Sequence, residues 1–268
     1  MNSLTKIISA FIGLLLIQSC EKVIEVDLED APSQIVIQAV LKVGTNDFVV
    51  NIANTTDYFG NASQIVVENA IVTLTDDLGN VTAIPYVDAG QYIRQVTADA
   101  GVNYQLTVEI AGTTYEASSF LPEKIEIVEL LTEFQEAGFD DAGYELLIRY
   151  NDPGDVPNYY RVIHHLNGIL QNEASDLQVM NDDFNNGVLT RAPLLTDIFA
   201  EGDTIGIELI HFDRASFDYF NSLANIIGEG GAFGGGIAAP GNPNTNWSGG
   251  ALGYFSAYSS DMEMVIAE

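Results

Sequence analysis

The chain contains 268 residues, of which 38 are Asp or Glu and only 9 are Lys or Arg, so its formal net charge is −29 at pH 7. Binding to nucleic acid and to anionic lipid head groups depends on Lys and Arg contacts, and this composition argues against both. Hydrophobic residues make up 47% of the chain, enough for a sizeable core, which argues against an acidic disordered protein. The acidic surface favours solubility, and a cation-rich partner surface is the alternative explanation.

The first nineteen residues have the pattern of a secretory leader. Lys6 precedes an apolar run at residues 7–17, which is shorter than the ~20 residues that a membrane-spanning helix needs. The chain then reads Ile17-Gln18-Ser19-Cys20, and Cys20 is its only cysteine. This stretch resembles the lipobox of bacterial lipoproteins, in which the leader is cut before the cysteine, and the thiol and the new amine are acylated. The resemblance implies a signal peptide at residues 1–19 and lipidation of Cys20 by chains such as palmitate; the alternative is an ordinary signal peptide followed by a free thiol.

Residues 20–32 are predicted to form an acylated N-terminal tether. The acidic residues that follow the cysteine resemble the export tags of surface lipoproteins of Bacteroidota: Glu21, Glu25, Asp27, Glu29 and Asp30. Two or three acyl chains hold a protein far more firmly than one, and no later stretch is long and apolar enough to span a bilayer. The tether therefore predicts a lipid-anchored protein of the outer membrane, exposed at the cell surface.

Residues 33–122 are predicted to form an immunoglobulin-like β-sandwich. Short apolar or alternating segments recur there at the spacing of such folds. The predicted strands cover residues 34–42, 48–53, 66–75, 81–86, 92–93, 104–110 and 114–117. The segment from Asp99 to Tyr104 precedes an alternating strand and looks like a tyrosine corner, in which the hydroxyl of a buried ring ties down a crossing loop.

Residues 123–268 are predicted to form a second β-rich domain with one inserted helix. Its strands are expected at residues 125–131, 144–150, 158–166, 203–211 and 262–266. Turn residues separate the strands at 151–157. The polar region at 171–201 is predicted to consist of long loops with short strands.

The helix is predicted near residues 216–227, because apolar side chains share one face there at helical spacing. Asp213 and Ser216 are the two candidates for its N-terminal cap, and Gly228 is expected to end it. A Gly-rich loop is then predicted over residues 228–250.

The most specific motif of the chain overlaps the end of this predicted loop and continues beyond it. Residues 242–258 read Asn-Pro-Asn-Thr-Asn-Trp-Ser-Gly-Gly-Ala-Leu-Gly-Tyr-Phe-Ser-Ala-Tyr. They resemble the closing motif of the domain-of-unknown-function 4249 family, an uncharacterised family of Bacteroidota outer-membrane lipoproteins. Further matching segments extend along nearly the whole mature chain: residues 21–28, 35–41, 70–80, 151–153, 158–160 and 217–220. The resemblance implies a protein commonly encoded beside TonB-dependent transporters, with no established activity and therefore no catalytic residue to assign.

The sequence predicts no cofactor and no enzyme activity. None of the common hydrolase, metalloprotease or nucleotide-binding motifs occurs. His164 and His165 are adjacent on a predicted strand and should point to opposite faces, so a metal site would need one of them together with His211. A structural calcium ion is an alternative at four pairs of aspartates, although turns favour aspartate in any case. These pairs are Asp76 with Asp77, Asp140 with Asp141, Asp152 with Asp155, and Asp182 with Asp183.

Trp247, Tyr254 and Tyr258 are the candidate residues for contact with a partner or ligand. Stacked aromatic side chains could bind a sugar or a protein, and Trp247 in particular is expected at the surface. For Tyr254 and Phe255 the favoured interpretation is burial in the core of the second domain, where nearby glycines let strands cross closely.

These features together predict a non-enzymatic accessory or binding subunit of a TonB-dependent transporter system. Its expected partners are the membrane, through the lipid anchor, and a TonB-dependent barrel or another outer-membrane complex. One alternative is a subunit of a different outer-membrane machine, for export or barrel assembly. The other alternative is a surface glycan-binding or hydrolase module.

Overall fold

A computed structural model describes residues 33–56, 65–136, 142–154, 156–193, 198–228 and 241–268. The predicted leader, Cys20 and the tether lie outside these residues. The described chain contains seventeen strands and one α-helix, and a short 3₁₀ turn at Ala174–Asp176. In chain order the elements are β1 (Ile35–Lys42), β2 (Gly44–Asn54), β3 (Ile65–Val66), β4 (Ile71–Asp76), β5 (Val81–Ile84), β6 (Tyr86–Asp88), β7 (Gln91–Ala98), β8 (Val102–Ile110), β9 (Thr113–Leu121), β10 (Ile127–Gln135), β11 (Gly143–Asn151), β12 (Tyr159–Leu166), β13 (Ile169–Leu170), β14 (Gln178–Asn181), β15 (Leu189–Pro193), β16 (Thr204–Phe212), α1 (Arg214–Gly228) and β17 (Leu252–Ile266). The mainly β fold class predicted from the sequence is confirmed.

One large sheet runs through the described chain, in the order β13-β12-β16-β17-β1-β2-β7-β6, with β14 on β12 and β3 on β2. Its centre is β17, which pairs in parallel with β1 and antiparallel with β16. The first and last strands of the described chain are therefore neighbours. This pairing crosses the expected domain boundary near residue 122, and Ser33–Glu268 forms one compact unit.

The immunoglobulin-like sandwich forms where β17, β1, β2 and β7 pack against a second sheet, in the order β5-β4-β8-β9. Alternating side chains of both sheets fill the core between them, as expected for packed sheets. Its largest buried members include Ile37, Phe48, Tyr92, Leu106 and Phe255. The tyrosine corner is present, because the Tyr104 hydroxyl accepts a hydrogen bond of 2.8 Å from the backbone N–H of Asp99. The sandwich thus includes β17, a strand from the far end of the chain.

A second buried tyrosine holds the crossing between the two sheets. The Tyr92 hydroxyl accepts a hydrogen bond from the backbone N–H of Ala70 (2.8 Å) and donates one to the carbonyl of Val67 (3.1 Å). Between these residues the chain leaves β3 in the large sheet and enters β4 in the small one. The single strand predicted over residues 66–75 is therefore wrong: its alternating pattern continues across a change of sheet.

A third sheet, in the order β10-β11-β15, covers the other half of the large sheet on the same face. Its core joins β11 to β12 and β16 through residues that include Leu146, Ile148, Tyr160, Ile205 and Ile207. The polar region at 171–201 contains β14, β15 and the 3₁₀ turn.

Helix α1 lies on the opposite face of the large sheet, where Tyr219 and Phe220 pack with Phe212 of β16. The predicted helix at 216–227 is present and begins two residues earlier. Asp213 is its N-terminal cap, since Oδ1 accepts a hydrogen bond of 2.8 Å from the Ser216 backbone N–H. Residues 229–240 of the predicted Gly-rich loop lie outside the described residues. Within the described chain no helix has the length and apolar character to cross a bilayer.

Candidate functional site

The aromatic residues of β17 separate onto two faces of the large sheet. Side chains alternate along a strand, so Phe255 and Ala257 enter the sandwich core whereas Tyr254 and Tyr258 point to the outer face, towards α1. The Tyr254 ring lies 4.4 Å from the ring of Tyr219, measured between centroids. The structure therefore brings two of the three candidate contact residues together on one face.

Trp247 is not part of this face, and the expectation that it is exposed is wrong. Its side chain is 5% exposed and belongs to the sandwich core. The indole N–H donates a hydrogen bond of 3.0 Å to the carbonyl of Ile37 on β1. A buried indole needs such a partner, and here the partner is backbone rather than a ligand.

The rest of the closing motif also has a structural role. The Asn246 amide donates to the Phe255 carbonyl (2.7 Å), and its oxygen accepts from the Phe255 N–H (3.0 Å). Ser248 exchanges two hydrogen bonds with the backbone of Glu116 on β9. At Gly253 a Cβ would lie 2.2 Å from the carbonyl oxygen of Ile37, so only glycine permits β17 to approach β1 this closely. The motif holds β1, β9 and β17 together.

Beside α1 the outer face contains a cavity of about 180 Å³, which we call the outer-face cavity. Four polar side chains line it together with five apolar ones. The polar ones are Arg161, Tyr254, Ser256 and Tyr258, and the apolar ones are Val40, Ile163, Ile210, Phe212 and Phe220. A groove of about 360 Å³ adjoins the cavity, shares Val40, Tyr254 and Tyr258 with it, and continues over Gln38 and Lys42 of β1.

Arg161 of β12 supplies the positive charge of the cavity. Its guanidinium carbon lies 4.4 Å from the centroid of the Phe220 ring. Its Nε is fully buried and has no hydrogen-bond partner among the described residues. Burial lowers the pKa of the Arg161 guanidinium, although nearby Tyr254 and other groups oppose the shift. A buried, incompletely satisfied donor of this kind costs free energy unless something pairs with it.

Glu208 is the carboxylate whose negative charge acts on Arg161, and it already has other hydrogen-bond partners. Glu208 accepts hydrogen bonds from Lys42 Nζ (2.8 Å) and Ser260 Oγ (2.6 Å). Burial raises the pKa of the Glu208 carboxyl, but these two hydrogen bonds and the nearby positive charge of Lys42 act together against burial, and the pKa is below its usual value. Glu208 is therefore ionised at neutral pH and engaged with Lys42.

The two tyrosine hydroxyls remain protonated at neutral pH. Burial, with a smaller effect of Glu208, raises the pKa of Tyr258 to about 12. Burial, followed by the neighbouring Tyr219, also raises the pKa of Tyr254. Each hydroxyl can therefore donate or accept a hydrogen bond to a bound molecule, but neither is activated as a nucleophile.

His211 and His164 are engaged in the fold. His211 Nδ1 lies 2.7 Å from the carbonyl oxygen of Glu123, and its ring stacks on Tyr160. His164 is buried on β12, with Nε2 3.9 Å from Asp176 Oδ1. Among the residues that the structure describes, no three His, Cys, Asp or Glu side chains are grouped as metal ligands.

The aspartate pairs that suggested calcium mostly serve as hydrogen-bond acceptors. Asp76 Oδ1 accepts from the backbone N–H of Leu78 and of Asn80 in the turn between β4 and β5. Buried Asp152 accepts from the Tyr160 hydroxyl (2.5 Å). The predictions at Asp140, Asp141 and Asp155 fall outside the described residues.

Sequence reasoning missed Arg161. The available signal was a basic residue within an apolar strand of a chain that has only nine Lys and Arg. The partners that make Arg161 notable, Phe220 and Tyr254, come from α1 and β17 and cannot be read from its neighbours in sequence.

The comparisons with known proteins identify a family and little else. A family model described as "Domain of unknown function (DUF4249)" matches residues 21–263. No curated protein matches the chain. Among solved structures, a segment of two fibronectin type III domains from chicken tenascin matches 67% of this chain and 90% of its own length, with 15% sequence identity and a TM-score of 0.22. At that TM-score the match does not bear on the topology described above.

Proposed function

Since the chain belongs to the DUF4249 family, we propose that it is a lipid-anchored, non-enzymatic binding subunit of the outer membrane that docks on a TonB-dependent transporter. The observation that carries the proposal is the short separation in sequence between Cys20 and the folded part of the chain. Only residues 21–34 separate Cys20 from the start of β1, at Ile35 in the centre of the large sheet. A fully extended segment of that length spans roughly 50 Å.

An acylated Cys20 would therefore keep the β-sheet body close to one membrane surface. Confinement of this kind raises the effective concentration of the protein for any partner in the same membrane. The net charge of −29 opposes direct adsorption to anionic lipid. A membrane protein, rather than the lipid surface itself, is thus the favoured partner of the folded part.

The outer-face cavity supports binding rather than catalysis. Its described lining contains Ser256 but no histidine or carboxylate that could act as a base beside it. Nucleophilic catalysis by serine needs such a base within hydrogen-bond reach. The hydroxyl, phenol and guanidinium groups that are present are suited to hold a ligand.

Copurification tests the proposal. The full-length protein would be solubilised from membranes with mild detergent, and its partners identified by mass spectrometry. We expect a TonB-dependent barrel protein to be recovered with it. Recovery of the protein alone, or with an export or barrel-assembly complex, would contradict the transporter assignment.

The Cys20→Ser variant is the matched control. It lacks the thiol that would be acylated, so we expect it to leave the membrane fraction and to lose the copurified barrel. A Cys20→Ser protein that is still trimmed and firmly membrane-bound would contradict the lipid anchor.

A further inference from the structure

We propose that the outer-face cavity binds a small aromatic carboxylate, with the ring among its apolar side chains and the carboxylate on the guanidinium of Arg161. This inference rests on the proposed binding function, but it requires neither the lipid anchor nor the transporter.

The cavity has the volume for one aromatic ring. It measures about 180 Å³, and an apolar protein cavity of about 150 Å³ is enough to hold benzene. Val40, Ile210 and Phe212 provide apolar surface, and the Phe220 ring closes the cavity from α1. A ligand without an apolar body would leave this surface uncovered, which disfavours a sugar.

The charge in the cavity calls for one anionic group. Arg161 carries a partly buried positive charge, and its Nε has no partner among the described residues. Glu208 bonds to Lys42 and Ser260 through Oε1 and makes no hydrogen bond or ion pair with Arg161 among the described residues. A carboxylate in the cavity would fit the terminal amino groups of the planar guanidinium, which have no hydrogen-bond partner among the described residues and are not fully buried, with two parallel hydrogen bonds.

The same features favour a carboxylate over a phosphate. A single guanidinium matches the single charge of a carboxylate. The net charge of −29 opposes a second negative charge more strongly than the first. The protonated hydroxyls of Tyr254 and Tyr258 stand in the same lining and can complete the hydrogen bonding of the second carboxylate oxygen.

The adjoining groove provides the route of entry. It shares Val40, Tyr254 and Tyr258 with the cavity and is twice as large, at about 360 Å³. A small ligand can therefore reach Arg161 along β1 without displacement of the helix. The remaining groove would accept a substituent on the ring.

Calorimetric titration of the detergent-solubilised, full-length protein with benzoate tests the proposal. Benzamide is the neutral probe of the same shape, and we expect it to bind at least about 10-fold more weakly, since it lacks the charge that pairs with Arg161. This comparison uses the unaltered protein, so it does not depend on the folding of a variant. Equal binding of the two probes, or no binding of millimolar benzoate, would overturn the proposal.

Two arginine variants then locate the site. Arg161→Gln should weaken benzoate binding about 10- to 100-fold. Arg214→Gln, at an exposed arginine of α1 that pairs with Asp218, should leave binding unchanged. Unchanged binding in a folded Arg161→Gln protein would show that benzoate sits elsewhere and would contradict the assignment.

A further arm separates a small molecule from a protein partner. A peptide that ends in a free phenylalanine carboxylate offers the same groups on a chain terminus. Binding of this peptide without binding of benzoate would overturn the assignment to a small molecule. Failure of the transporter proposal would appear only in the copurification, because the titration contains no partner protein.

Discussion

Single side chains with backbone hydrogen bonds fix how the sheets of this protein meet. Tyr104 and Tyr92 each place a hydroxyl at a crossing between strands, and Trp247 does the same with its indole N–H. All three rings are buried, so each combines a large apolar contact with one or two polar contacts at its tip. Stability at these positions should therefore respond to removal of a single polar atom.

The tyrosine corner offers the simplest test at this scale. Tyr104→Phe keeps the buried ring but removes the acceptor of the Asp99 N–H. We expect a loss of about 1 kcal/mol in the free energy of unfolding, measured by urea denaturation. Tyr115→Phe is the control, because Tyr115 packs against the same core from β9 and should change the free energy by less than about 0.5 kcal/mol. Equal effects of the two changes would argue that the corner adds nothing beyond packing.

The buried phenols also predict a loss of stability in alkali. The pKa of Tyr258 and that of Tyr150 are each raised to about 12, chiefly by burial, from a usual value of 10. The folded protein therefore keeps these protons more tightly than the unfolded chain. The stabilisation is complete below pH 10 and is lost as the pH rises from 10 to 12.

Urea denaturation at a series of pH values measures this effect. The free energy of unfolding should fall above pH 10 by up to about 1.4 kcal/mol per pH unit for each tyrosine. Tyr258→Phe should reduce the slope above pH 10 and leave the slope below it unchanged. A variant with the same alkaline slope as the original protein would refute the role of Tyr258.

Residues whose partners are close in sequence could be identified before the structure was known. Tyr104 bonds to a backbone group five residues away, and Asp213 caps the helix that begins beside it. The Trp247 indole instead bonds to Ile37, 210 positions away along the chain. The same pattern of an aromatic residue beside glycines fits both an exposed contact residue and a buried latch, so sequence alone could not distinguish them. Arg161 was missed for the same reason.

At the scale of elements, α1 depends on one carboxylate. Asp213 Oδ1 caps the helix, whereas Oδ2 accepts hydrogen bonds of 2.9 Å from the Ser119 hydroxyl and the Phe120 N–H of β9. The residue therefore connects the helix on one face of the large sheet with the edge strand of the sandwich. The outer-face cavity lies against α1, so its shape depends on this connection.

Asp213→Ala should destabilise the protein by about 2–3 kcal/mol. The variant would lose the helix cap, and it would also leave the Ser119 hydroxyl and the Phe120 N–H of β9 without their acceptor. Asp213→Asn should cost less, since its remaining oxygen can still cap the helix. Asp218→Asn is the control on the same helix, where the pair with Arg214 is exposed to solvent and contributes little to stability. Thermal denaturation of the three variants measures the order, and equal losses for Asp213→Ala and Asp218→Asn would contradict the role given to Asp213.

Local elements were largely predictable, but their partners were not. The hairpins of β4 with β5 and β8 with β9 follow from alternation and turn residues within short segments. The strand expected at 262–266 is instead β17, which begins at Leu252 and includes the last seven residues of the closing motif. Its first half fits beside β1 only because Gly253 lacks a side chain, and that neighbour lies more than 200 residues away in sequence. The strand pattern contains no information about such a partner.

At the scale of the whole molecule, the two ends of the described chain pair in one sheet and share one core. The sandwich built mainly from residues 33–122 takes Phe255 and Ala257 of β17 into its core. The third sheet packs on β16 and on the second half of the same strand. One long strand thus belongs to both packed regions, which explains why Ser33–Glu268 behaves as one unit.

A fragment of residues 33–122 tests this dependence. Without β17 it would expose the β1 edge and leave an unfilled core, so we expect no cooperative transition in urea and no near-ultraviolet circular dichroism. Residues 33–268 should show both. A cooperative transition in the short fragment would instead support the two-domain division expected from the sequence.

The position of β1 between two long neighbours has a mechanical consequence. Its backbone is bonded on one side to β2 and on the other to β17, over most of its length. A force applied to the chain at Ile35 along the axis of β1 would act on the pairing with both neighbours. Both rows of hydrogen bonds would then bear the load together in shear, and would not open one at a time. A lipid anchor at Cys20, as proposed above, would thus be joined to a strand that resists such a load with hydrogen bonds on both edges.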